Sequence, residues 1–457
     1  MSLLINGTPC RALHCAGILG SGMSAIAQYC AWEGLRVTGS DRLLDSPDVK
    51  TMRDALAALG CVLCAQDGSG PDAGADALVV STAIEETNPD IAAARGRGIP
   101  IFHRSDVLAA IVRTRTTIAV AGTSGKSTVA AMIWEFLDGC GKAPSLVTGA
   151  GLIRLEDRGL IGNAFKGASD ILVIEADESD GTCVKYQPYL SVFLNVSKDH
   201  KPVDETLELF KTLAQQSTVV VANADDRRLD VLGSRVTFGT QGPASFAPDR
   251  VLSTSPDVSF SKGNAVYTLP LPGQHNLSNL LASLCVCEQF ACDPRALVAA
   301  VARFKGVQRR FAVTLLPRGI RVIDDYAHNP EKIRAAVRTA RGFAKRVLAV
   351  FQPHGFGPTR FLKDDLVAMF AEELTDSDML FLLPIYYAGG TAQKDISSGQ
   401  IASLVRAQSK AVFAPADRKE LIALIKQHAS PNDAVLVMGA RDPSLSALAW
   451  EIAEALR

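Results

Sequence analysis

The sequence predicts an α/β protein of three domains, each built on a parallel sheet. A chain of 457 residues is too long for one core, because single domains usually hold roughly 100 to 200 residues. Short apolar strands alternate with helical stretches, as in parallel sheets that helices cover on both faces. We therefore expect a Rossmann-like N-terminal domain, a P-loop mononucleotide-binding central domain with a parallel sheet and a Rossmann-like C-terminal domain.

The N-terminal domain is predicted to span residues 1–112. Its strands are expected at Ala12–Gly17, Arg36–Ser40, Ala77–Ser81 and Ile101–His103, with a helix from about Met23. An apolar run from Ala12 to Ala27 is interrupted by glycines, and neither a basic leader nor a cleavage site frames it. We therefore expect a cytoplasmic protein that is not inserted in a membrane.

The central domain is predicted to span residues 113–312. Nearly all residues of its strands are apolar, as expected for strands buried on both faces, and these strands are Thr117–Ala121, Ile171–Ile174, Leu190–Asn195 and Val219–Ala222. Residues 238–272 are polar and rich in turn residues, which predicts a small β appendage before a closing helix after Asn276.

The C-terminal domain is predicted to span residues 313–457, because the alternation of strands and helices restarts after Arg309 and Arg310. Its strands are expected at Arg321–Asp324, Val347–Gln352, Met379–Leu383, Ala411–Ala414 and Ala434–Met438. This second run of alternating elements predicts another α/β domain.

Charge and cysteine usage exclude several classes of function. The chain has 47 basic and 48 acidic residues and no basic stripe beside aromatic residues, so nucleic acid is not an expected partner. The 10 cysteines lack the spacing of a disulfide framework, which indicates reduced thiols in a cytosolic protein. Cys61 and Cys64 form a CxxC without a second pair. We predict that they pack a strand, with zinc binding or redox chemistry as the alternative.

The strongest local motif is a strand that enters a glycine-containing turn and then a helical stretch. The turn reads Gly122-Thr123-Ser124-Gly125-Lys126-Ser127-Thr128. Its glycines let backbone N–H groups face an anion, Lys126 can reach the β and γ phosphates, and the Ser127 hydroxyl can hold Mg²⁺. The motif predicts a site for a nucleoside triphosphate, with a purely structural turn as the alternative.

Acidic and imidazole side chains follow the next two apolar strands. One strand ends in Glu175 and continues into acidic residues as far as Asp180, and the other is followed by His200. Carboxyl ends of parallel strands share one edge of a sheet, which is where ligands bind. Mg²⁺ prefers oxygen ligands, so Glu175 and Ser127, together with His200, are the predicted metal ligands. A solvated acidic loop is the alternative interpretation of the residues after Glu175.

These ordered motifs resemble the Mur ligase family, and the resemblance covers essentially the whole chain. The N-terminal glycine-rich stretch is similar to the family's uridine-diphosphate loop. The resemblance implies that a nucleotide sugar contacts Gly17, Gly20, Ser21, Gly22, Met23, Ser40, Asp41, Ser81 and Thr82. Alone, this loop is equally compatible with a dinucleotide-binding oxidoreductase. An oxidoreductase would not explain the second phosphate loop together with Glu175 and Asn276.

In the central domain the resemblance implies an ATP site. Gly122–Thr128 resembles the family's ATP loop, and Asn195–His200 resembles the segment with its magnesium histidine. The segment after the appendage is similar to the adenine-binding signature, which adds the candidate ATP contacts His275, Asn276 and Asn279. An Asn side chain can satisfy both the donor and the acceptor edge of adenine. Without the resemblance, a His-Asn pair at a helix start would indicate only an N-cap.

The resemblance extends through an interdomain segment that contains Arg310 and into the third domain. Arg310 is the implied contact of the transferring phosphate, a role that suits the planar arginine fork. His328 and His354 are the candidate groups that orient the amine or accept its proton, with Asp325 as support. Each histidine could instead be structural. Such a layout implies an active site that closes when this domain swings in.

The implied activity is that of an ATP-dependent ligase. ATP would convert a carboxylate into an acyl phosphate, and Lys126, Arg310 and Mg²⁺ would stabilise the phosphoryl charge while an amine displaces phosphate. The implied substrates are a UDP-N-acetylmuramate-like nucleotide sugar and an amino acid or short peptide. L-Alanine is the expected amine. The retained Lys126, Glu175, His200 and Arg310 argue against an inactive nucleotide-binding regulator.

Some features remain open from the sequence. Gly355 and Pro358 stand where family members that add L-alanine present arginines, so another amine, such as a recycled murein peptide, or a non-muramoyl carboxylate remains an alternative. A monomer and a homodimer are both compatible with the sequence. Lys201 and Lys211 are candidates for the carbamylation found in some relatives.

Overall fold

The computed structural model describes residues 2–46, 49–199, 201–387, 393–408 and 410–457. The chain divides into two compact units. The first comprises Met1–Val251, Phe260–Leu269 and Ser278–Val307, and the second comprises Leu252–Ser259, Pro270–Leu277 and Gln308–Arg457. The first holds two largely parallel sheets and the second holds another. The predicted α/β architecture is therefore confirmed, whereas the boundaries after residues 112 and 312 stay predictions.

The N-terminal part of the first unit is a hairpin followed by a doubly wound sheet. Its elements are β1 (Leu3–Ile5), β2 (Thr8–Cys10), β3 (Ala12–Ala16), α1 (Ser21–Trp32), β4 (Arg36–Ser40), α2 (Lys50–Ala58), β5 (Val62–Cys64), β6 (Ala77–Val80), α3 (Pro89–Gly96), β7 (Ile101–His103) and α4 (Arg104–Val112). The sheet is parallel in the order β5-β4-β3-β6-β7. The winding reverses between β3 and β6, which is the edge position where such sheets bind ligands.

A second sheet follows in the same unit. Its elements are β8 (Thr116–Ala121), α5 (Lys126–Gly139), β9 (Ser145–Val147), α6 (Ile153–Glu156), β10 (Ala164–Phe165), β11 (Ile171–Glu175), β12 (Leu190–Phe193), α7 (Val203–Gln215), β13 (Val219–Asn223) and β14 (Val236–Phe238). The strand order is β10-β9-β11-β8-β12-β13-β14, with only β10 antiparallel to its neighbour. The strand β8 lies between β11 and β12, so the carboxyl ends of these three strands adjoin.

Asn163 joins the two sheets of the first unit. Its Oδ1 accepts a hydrogen bond from Gln28 Nε2 at 2.7 Å, and its Nδ2 donates to Ser21 O at 2.7 Å and to Ser24 Oγ at 2.9 Å. The helix α1 is buried from Met23 to Cys30. A helix buried along this length must satisfy its polar groups within the protein, and Asn163 does so at its first turn.

The predicted β appendage and closing helix are both present. The strands are β15 (Arg250–Ser253), β16 (Val258–Lys262) and β17 (Ala265–Leu269), and the helices that follow are α8 (Gln274–Gln289) and α9 (Pro294–Ala302). The three strands form a separate small sheet. In the first unit, α9 packs on α5, where a Cβ added to Gly139 would lie 2.7 Å from Ala300 Cβ.

The second unit carries the last sheet. Its elements are β18 (Ala312–Leu315), β19 (Arg321–Asp325), α10 (Pro330–Arg341), β20 (Val347–Gln352), α11 (Phe356–Glu373), β21 (Met379–Leu382), α12 (Ser398–Arg406), β22 (Ala411–Phe413), α13 (Arg418–His428), β23 (Ala434–Gly439) and α14 (Leu445–Leu456). The order is β18-β19-β23-β20-β21-β22, with β18 antiparallel. The strands β19, β23 and β20 are neighbours, so their carboxyl ends adjoin.

The cysteines have structural positions. All ten are free thiols, and most are buried. Cys61 precedes β5 and Cys64 ends it, and burial raises the pKa of Cys61 to about 11. A thiol with such a pKa is protonated and unreactive at neutral pH, which agrees with the predicted packing role. In the part of the chain that the structure describes, no helix combines the length and apolar character that crossing a bilayer requires.

Candidate active site

The predicted nucleotide phosphate loop lies between β8 and α5. The strand ends at Ala121 and the helix begins at Lys126, so strand, loop and helix occur in the predicted order. Gly122 has φ +148° and Gly125 has φ +87°, conformations that L side chains rarely adopt. A Cβ on Gly125 would lie 2.7 Å from Oδ1 of Asn279. The loop therefore requires both glycines, and one residue of the predicted adenine signature lies directly against it.

We expect Gly125→Ala to weaken binding of a nonhydrolysable ATP analogue about tenfold or more, measured by calorimetry. The new Cβ would collide with Asn279 in addition to straining the backbone by roughly 1–2 kcal/mol. Gly141→Ala is the matched control, because Gly141 has φ +73° but no atom within 4 Å of its added Cβ. Equal nucleotide binding by the two variants would contradict the proposed role of this close contact.

Asn195, just beyond β12, fastens the loop. Its Oδ1 accepts hydrogen bonds from the Ser124 N–H at 2.9 Å and the Thr123 hydroxyl at 3.0 Å, and its Nδ2 donates to Ser124 O at 3.1 Å. The Thr123 hydroxyl also lies 2.9 Å from Ser197 Oγ and is buried. Thr123 therefore shapes the loop through its side chain. The sequence indicated Asn195 only as part of the segment with His200. It did not indicate that the Asn195 side chain hydrogen bonds to the phosphate loop.

Lys126 is held by the acidic loop that follows β11. Its Nζ donates to Gly122 O at 2.8 Å and to Glu178 Oε2 at 2.7 Å, and Asp177 Oδ1 lies 3.5 Å away. Burial lowers the pKa of Lys126, but the nearby carboxylates, Glu178 first, raise it more, so the pKa lies above its ordinary value. Burial raises the pKa of Glu178, and Lys126 partly offsets that rise. The ammonium is therefore a fixed positive charge beside the phosphate loop.

Glu175 ends β11 beside Thr148, a residue that no sequence motif indicated. Its Oε1 accepts hydrogen bonds from the Thr148 hydroxyl and, at 3.4 Å, from the Gly149 N–H. Ser127 is buried in the first turn of α5. Carboxylate and hydroxyl oxygens are the donors that Mg²⁺ prefers, so these residues fit the predicted ion. The third predicted ligand, His200, lies outside the described residues, which contain no cluster of three or more His, Cys, Asp or Glu able to hold a metal.

The N-terminal glycine-rich loop connects β3 to α1. The N–H groups of Gly17 and Ile18 both donate to the carbonyl oxygen of Ser40, at 2.8 Å and 3.0 Å, and Gly20 N–H donates to Gly17 O at 3.1 Å. The Ser40 hydroxyl is buried and donates to Asp90 Oδ2 at 2.5 Å. The resemblance implies that Ser40 contacts the substrate. In the structure, the backbone carbonyl of Ser40 holds the glycine-rich loop.

Two turns flank this loop at the carboxyl edge of the sheet. Asp41 follows β4, and its Oδ2 accepts the Leu19 N–H at 3.1 Å. The turn after β6 begins with Ser81-Thr82, and Ile84 Cδ1 lies 3.0 Å from the position of a Cβ on Gly17. The predicted nucleotide-sugar residues therefore lie in the loop after β3 and in the turns after β4 and β6 that flank it.

Arg104 lies where the glycine-rich loop enters α1. A Cβ on Gly22 would be 2.6 Å from Arg104 Nη1, and Arg104 Nη2 donates to Asp180 Oδ2 at 3.3 Å. Asp180 belongs to the acidic loop that also holds Lys126, so this arginine links that acidic loop to the first turn of α1. Ser21 is exposed at the start of α1, whereas Met23 is buried and packs in the core. No local sequence motif indicated Arg104.

The predicted adenine signature forms the start of α8. Asn276 is buried, and its Nδ2 donates to Pro272 O at 2.7 Å. Burial lowers the pKa of His275 to about 4, so its ring is neutral at pH 7. One turn further along, Asn279 is also buried, with its amide oxygen against Gly125. The structure therefore places Asn279 beside the phosphate loop.

The two adjacent arginines of the second unit have different environments. Arg309 has φ +55°, and its guanidinium donates to Gly439 O at 2.8 Å and to Asp442 O at 3.1 Å. Both guanidinium carbons lie over the Tyr326 ring, 5.0 Å from its centre for Arg309 and 4.9 Å for Arg310, so the two residues differ in the carbonyl contacts of Arg309. Because the Arg309 guanidinium donates to two backbone carbonyl groups, Arg309 has a structural role. Arg310 stays the predicted phosphate contact.

Asp325 ends β19 and supports the turn that contains Arg310. Its Oδ2 accepts the Phe311 N–H at 2.8 Å, and its Oδ1 accepts the Ala327 N–H at 2.7 Å. Burial raises the pKa of Asp325 to about 6, although Arg310 and the two N–H groups oppose the rise. Phe311 follows Arg310 and has φ +56°, so the carboxylate holds an unusual backbone turn in place.

The two predicted histidines lie side by side in the second unit. The rings of His328 and His354 have centroids 5.4 Å apart and cross at 73°. His328 Nδ1 is 2.9 Å from Tyr326 O, so Nδ1 carries the proton when this ring is neutral. His354 is buried at the carboxyl end of β20. The structure therefore brings together the two imidazoles predicted to meet the amine.

A glycine begins the segment after the second histidine. Gly355 has φ +66°, caps α11 and donates its N–H to Tyr386 O at 2.8 Å. A Cβ at this position would lie 3.2 Å from Pro358 Cδ. Arg360, on the next turn, pairs with Asp395. Neither Gly355 nor Pro358 supplies a cation, and Asp395 neutralises that of Arg360.

Three family models match successive parts of the chain. The model described as Mur ligase family, catalytic domain, matches residues 12–116, and the Mur ligase middle domain matches residues 120–287. The model described as Mur ligase, glutamate ligase domain, matches residues 309–441. Together they cover most of the sequence.

Whole-chain relatives agree with these models. The UDP-N-acetylmuramate--L-alanine ligase of Arthrobacter sp. (strain FB24) is 37% identical over 423 residues, covering 88% of this chain and 87% of the relative. The enzyme of the same name from Pelotomaculum thermopropionicum is 36% identical over 454 residues, covering 94% and 95%. The crystal structure of UDP-N-acetylmuramate-alanine ligase from Thermotoga maritima matches with a TM-score of 0.77 and 26% identity over 97% of this chain and 98% of that one. Its motifs, fold and full-length relatives show that the chain belongs to the Mur ligase family.

Proposed function

We propose that this ATP-dependent, amide-forming ligase joins the carboxylate of UDP-N-acetylmuramate to L-alanine. The observation that carries the proposal is one acidic loop that binds Lys126 of the phosphate loop and also binds Arg104, which lies against Gly22 at the start of α1. ATP bound at the phosphate loop and a nucleotide sugar bound at the start of α1 would lie on either side of this acidic loop. The names of the full-length relatives support the two substrates. We place the reaction in the cytoplasm, where ATP is available.

The proposed reaction has two steps. A carboxylate oxygen of the sugar attacks the γ-phosphorus of ATP, and ADP leaves to give an acyl phosphate. The amine nitrogen then attacks the acyl carbon, phosphate leaves, and a base takes the amine proton. Lys126 and Arg310 would stabilise the charge on the transferring phosphoryl oxygens. Mg²⁺ held by Ser127, Glu175 and His200 would supply further positive charge.

We assign the amine side to the second unit. His328 and His354 are the candidate groups that orient the amine or accept its proton, because their adjacent rings lie beyond the ends of β19 and β20, the two strands that flank β23. Asp325 would act through Arg310, because it hydrogen bonds to the residue that follows this arginine. Its contribution is positional, since fixed charges stabilise a transition state more than mobile ones do.

A larger amine is the second candidate. An amino acid substrate has a carboxylate that needs a cation, and Gly355 and Pro358 provide none at their positions. A short peptide could place its carboxylate farther from this segment and meet a different cation. A recycled murein peptide is such an amine.

The proposal predicts phosphate release that depends on both the acid and the amine. We expect release from ATP and Mg²⁺ with UDP-N-acetylmuramate and L-alanine, and a product whose mass has gained one alanine residue. UDP-N-acetylglucosamine is the control, because it shares the nucleotide and lacks the carboxylate. Release with a peptide but not with L-alanine would establish the second candidate. If no amine supports turnover with the muramoyl substrate, both cell-wall assignments are wrong.

A further inference from the structure

A buried polar network lies beneath the glycine-rich loop of the N-terminal sheet. His14 on β3 and Asp90 in the first turn of α3 are both 0% exposed, and so is Ser40. His14 Nε2 lies 3.5 Å from Asp90 Oδ2, and His14 Nδ1 lies 2.8 Å from the Thr38 hydroxyl. No step of the proposed reaction uses the histidine or the aspartate, although burying such groups is unfavourable without a compensating role.

The network holds Asp90 as a carboxylate. Its Oδ2 accepts the Ser40 hydroxyl at 2.5 Å, and its Oδ1 accepts the Gly68 N–H at 3.0 Å. Burial raises the pKa of Asp90, but the adjacent His14 ring and the hydrogen bond from Ser40 outweigh it, and the pKa lies below its ordinary value. A Cβ on Gly70 would come within 2.1 Å of the His14 ring, so the ring is tightly enclosed.

The same serine connects this network to the loop. The carbonyl oxygen of Ser40 accepts the N–H groups of Gly17 and Ile18, so the orientation of Ser40 sets the start of the loop. Its hydroxyl is buried and is already bonded to Asp90, which leaves it unavailable to a ligand. The contribution of Ser40 to substrate binding must therefore pass through its backbone.

We propose that Asp90, backed by His14, is a positioning residue of the nucleotide-sugar site. It fixes Ser40, and the Ser40 carbonyl fixes the loop so that the remaining N–H groups and the start of α1 face the diphosphate of the ligand. The inference rests on the proposed function for the identity of that ligand. The inference adds Asp90 as a residue that contacts no substrate. Asp90 affects the affinity for the nucleotide sugar through two successive hydrogen-bonded contacts, one with the Ser40 hydroxyl and one between the Ser40 carbonyl and the loop.

The test is calorimetric titration of the full chain with UDP. We expect Ser40→Ala to weaken UDP binding about five- to tenfold, the loss expected when one buried hydrogen bond no longer orders the loop. Binding of an ATP analogue should stay unchanged. In turnover, KM for the nucleotide sugar should rise by the same factor while kcat changes less than about twofold. Asp90→Ala should weaken UDP binding at least as much.

Further variants separate positioning from general stability. Ser191→Ala is the matched control, because Ser191 is also 0% exposed and its hydroxyl lies 2.7 Å from Ser217 Oγ, on the second sheet. It should lose stability without losing UDP affinity. Asp90→Asn can accept from the Ser40 hydroxyl or from the Gly68 N–H but not from both, so it should restore only part of the affinity that Asp90→Ala loses. Adding Ser40→Ala to Asp90→Ala should cause little further loss, because both act through one chain of contacts.

The outcomes are distinguishable from failure of the proposed function. Wild-type affinity for UDP in Ser40→Ala and Asp90→Ala would overturn the positioning role while leaving the nucleotide-sugar assignment intact. If Ser40→Ala and Asp90→Ala lost no more UDP affinity than Ser191→Ala does, the positioning role would also be overturned. Equal losses would show that reduced stability alone weakens UDP binding. If the wild-type chain itself did not bind UDP, the proposed function would fail at its substrate.

Discussion

Lys126→Ala is expected to lower turnover at least about 1000-fold, a larger effect than any other single substitution should have. Its ammonium is fixed beside the phosphate loop by Gly122 O at 2.8 Å and Glu178 at 2.7 Å, so it needs little reorganisation to meet developing charge. Loss of such a group raises the barrier more than it weakens ground-state binding. We therefore expect the affinity for an ATP analogue to fall less than about tenfold. Phosphate release and calorimetry measure the two quantities.

A surface lysine provides the control for this prediction. Lys305 pairs with Asp157, and both side chains are about half exposed, at 54% and 49%. Exposed pairs contribute little, so Lys305→Ala should retain near wild-type turnover. A Lys126→Ala enzyme with more than a tenth of wild-type turnover would show that this ammonium does not stabilise the transferring phosphoryl group.

Strand positions were predictable because central parallel strands are buried on both faces. The bounds of Arg36–Ser40 and Val347–Gln352, both internal strands of their sheets, agree with the sequence prediction at both ends. The continuous apolar run of such a strand stands out from its flanking turns. By contrast, β18 at the edge of its sheet is mostly exposed, and β10 has only two residues, so neither carries a comparable pattern.

Candidate site residues were predictable where several chemical requirements coincide in one short segment. The phosphate loop combines a strand, two glycines, a lysine and a hydroxyl within a few positions, and the structure has that arrangement. Thr148 and Arg104 gave no signal, because their partners are distant in sequence. Thr148 meets Glu175 from 27 positions away, and Arg104 meets Asp180 from 76 positions away.

The sequence could name a residue without revealing which of its atoms acts. Ser40 and Thr123 belong to the predicted binding segments, but their hydroxyls bond to Asp90 and Asn195 inside the protein. A motif specifies residue type and spacing, whereas hydrogen-bond direction depends on partners that folding brings together. The distinction between a ligand contact and a scaffold contact therefore required coordinates.

Asp325→Asn is expected to lower turnover about 100-fold, the second largest effect. The two carboxylate oxygens accept the N–H groups of Phe311 and Ala327, whereas an amide offers one acceptor oxygen and opposes the other N–H with a donor. The turn that follows Arg310 would then lose one of its fixed points. Asp433→Asn is the control, because Asp433 is a buried carboxylate of the same unit that pairs with Arg346. It should lower stability and spare turnover.

The pH dependence distinguishes this role from a simple loss of packing. Burial raises the pKa of Asp325 from 3.8 to about 6. We therefore expect kcat/KM to fall below pH 6, because the protonated carboxyl accepts the hydrogen bond from the Phe311 N–H less strongly.

The same pKa shift has the opposite effect on the stability of the folded protein. A folded-state pKa above the unfolded value stabilises the protein fully below about pH 4, and this contribution is lost as pH rises through 6. Activity should therefore rise with pH while the stability contributed by Asp325 declines, and Asp325→Asn should abolish both trends. An acidic limb that persists in the variant would assign the titration to another group.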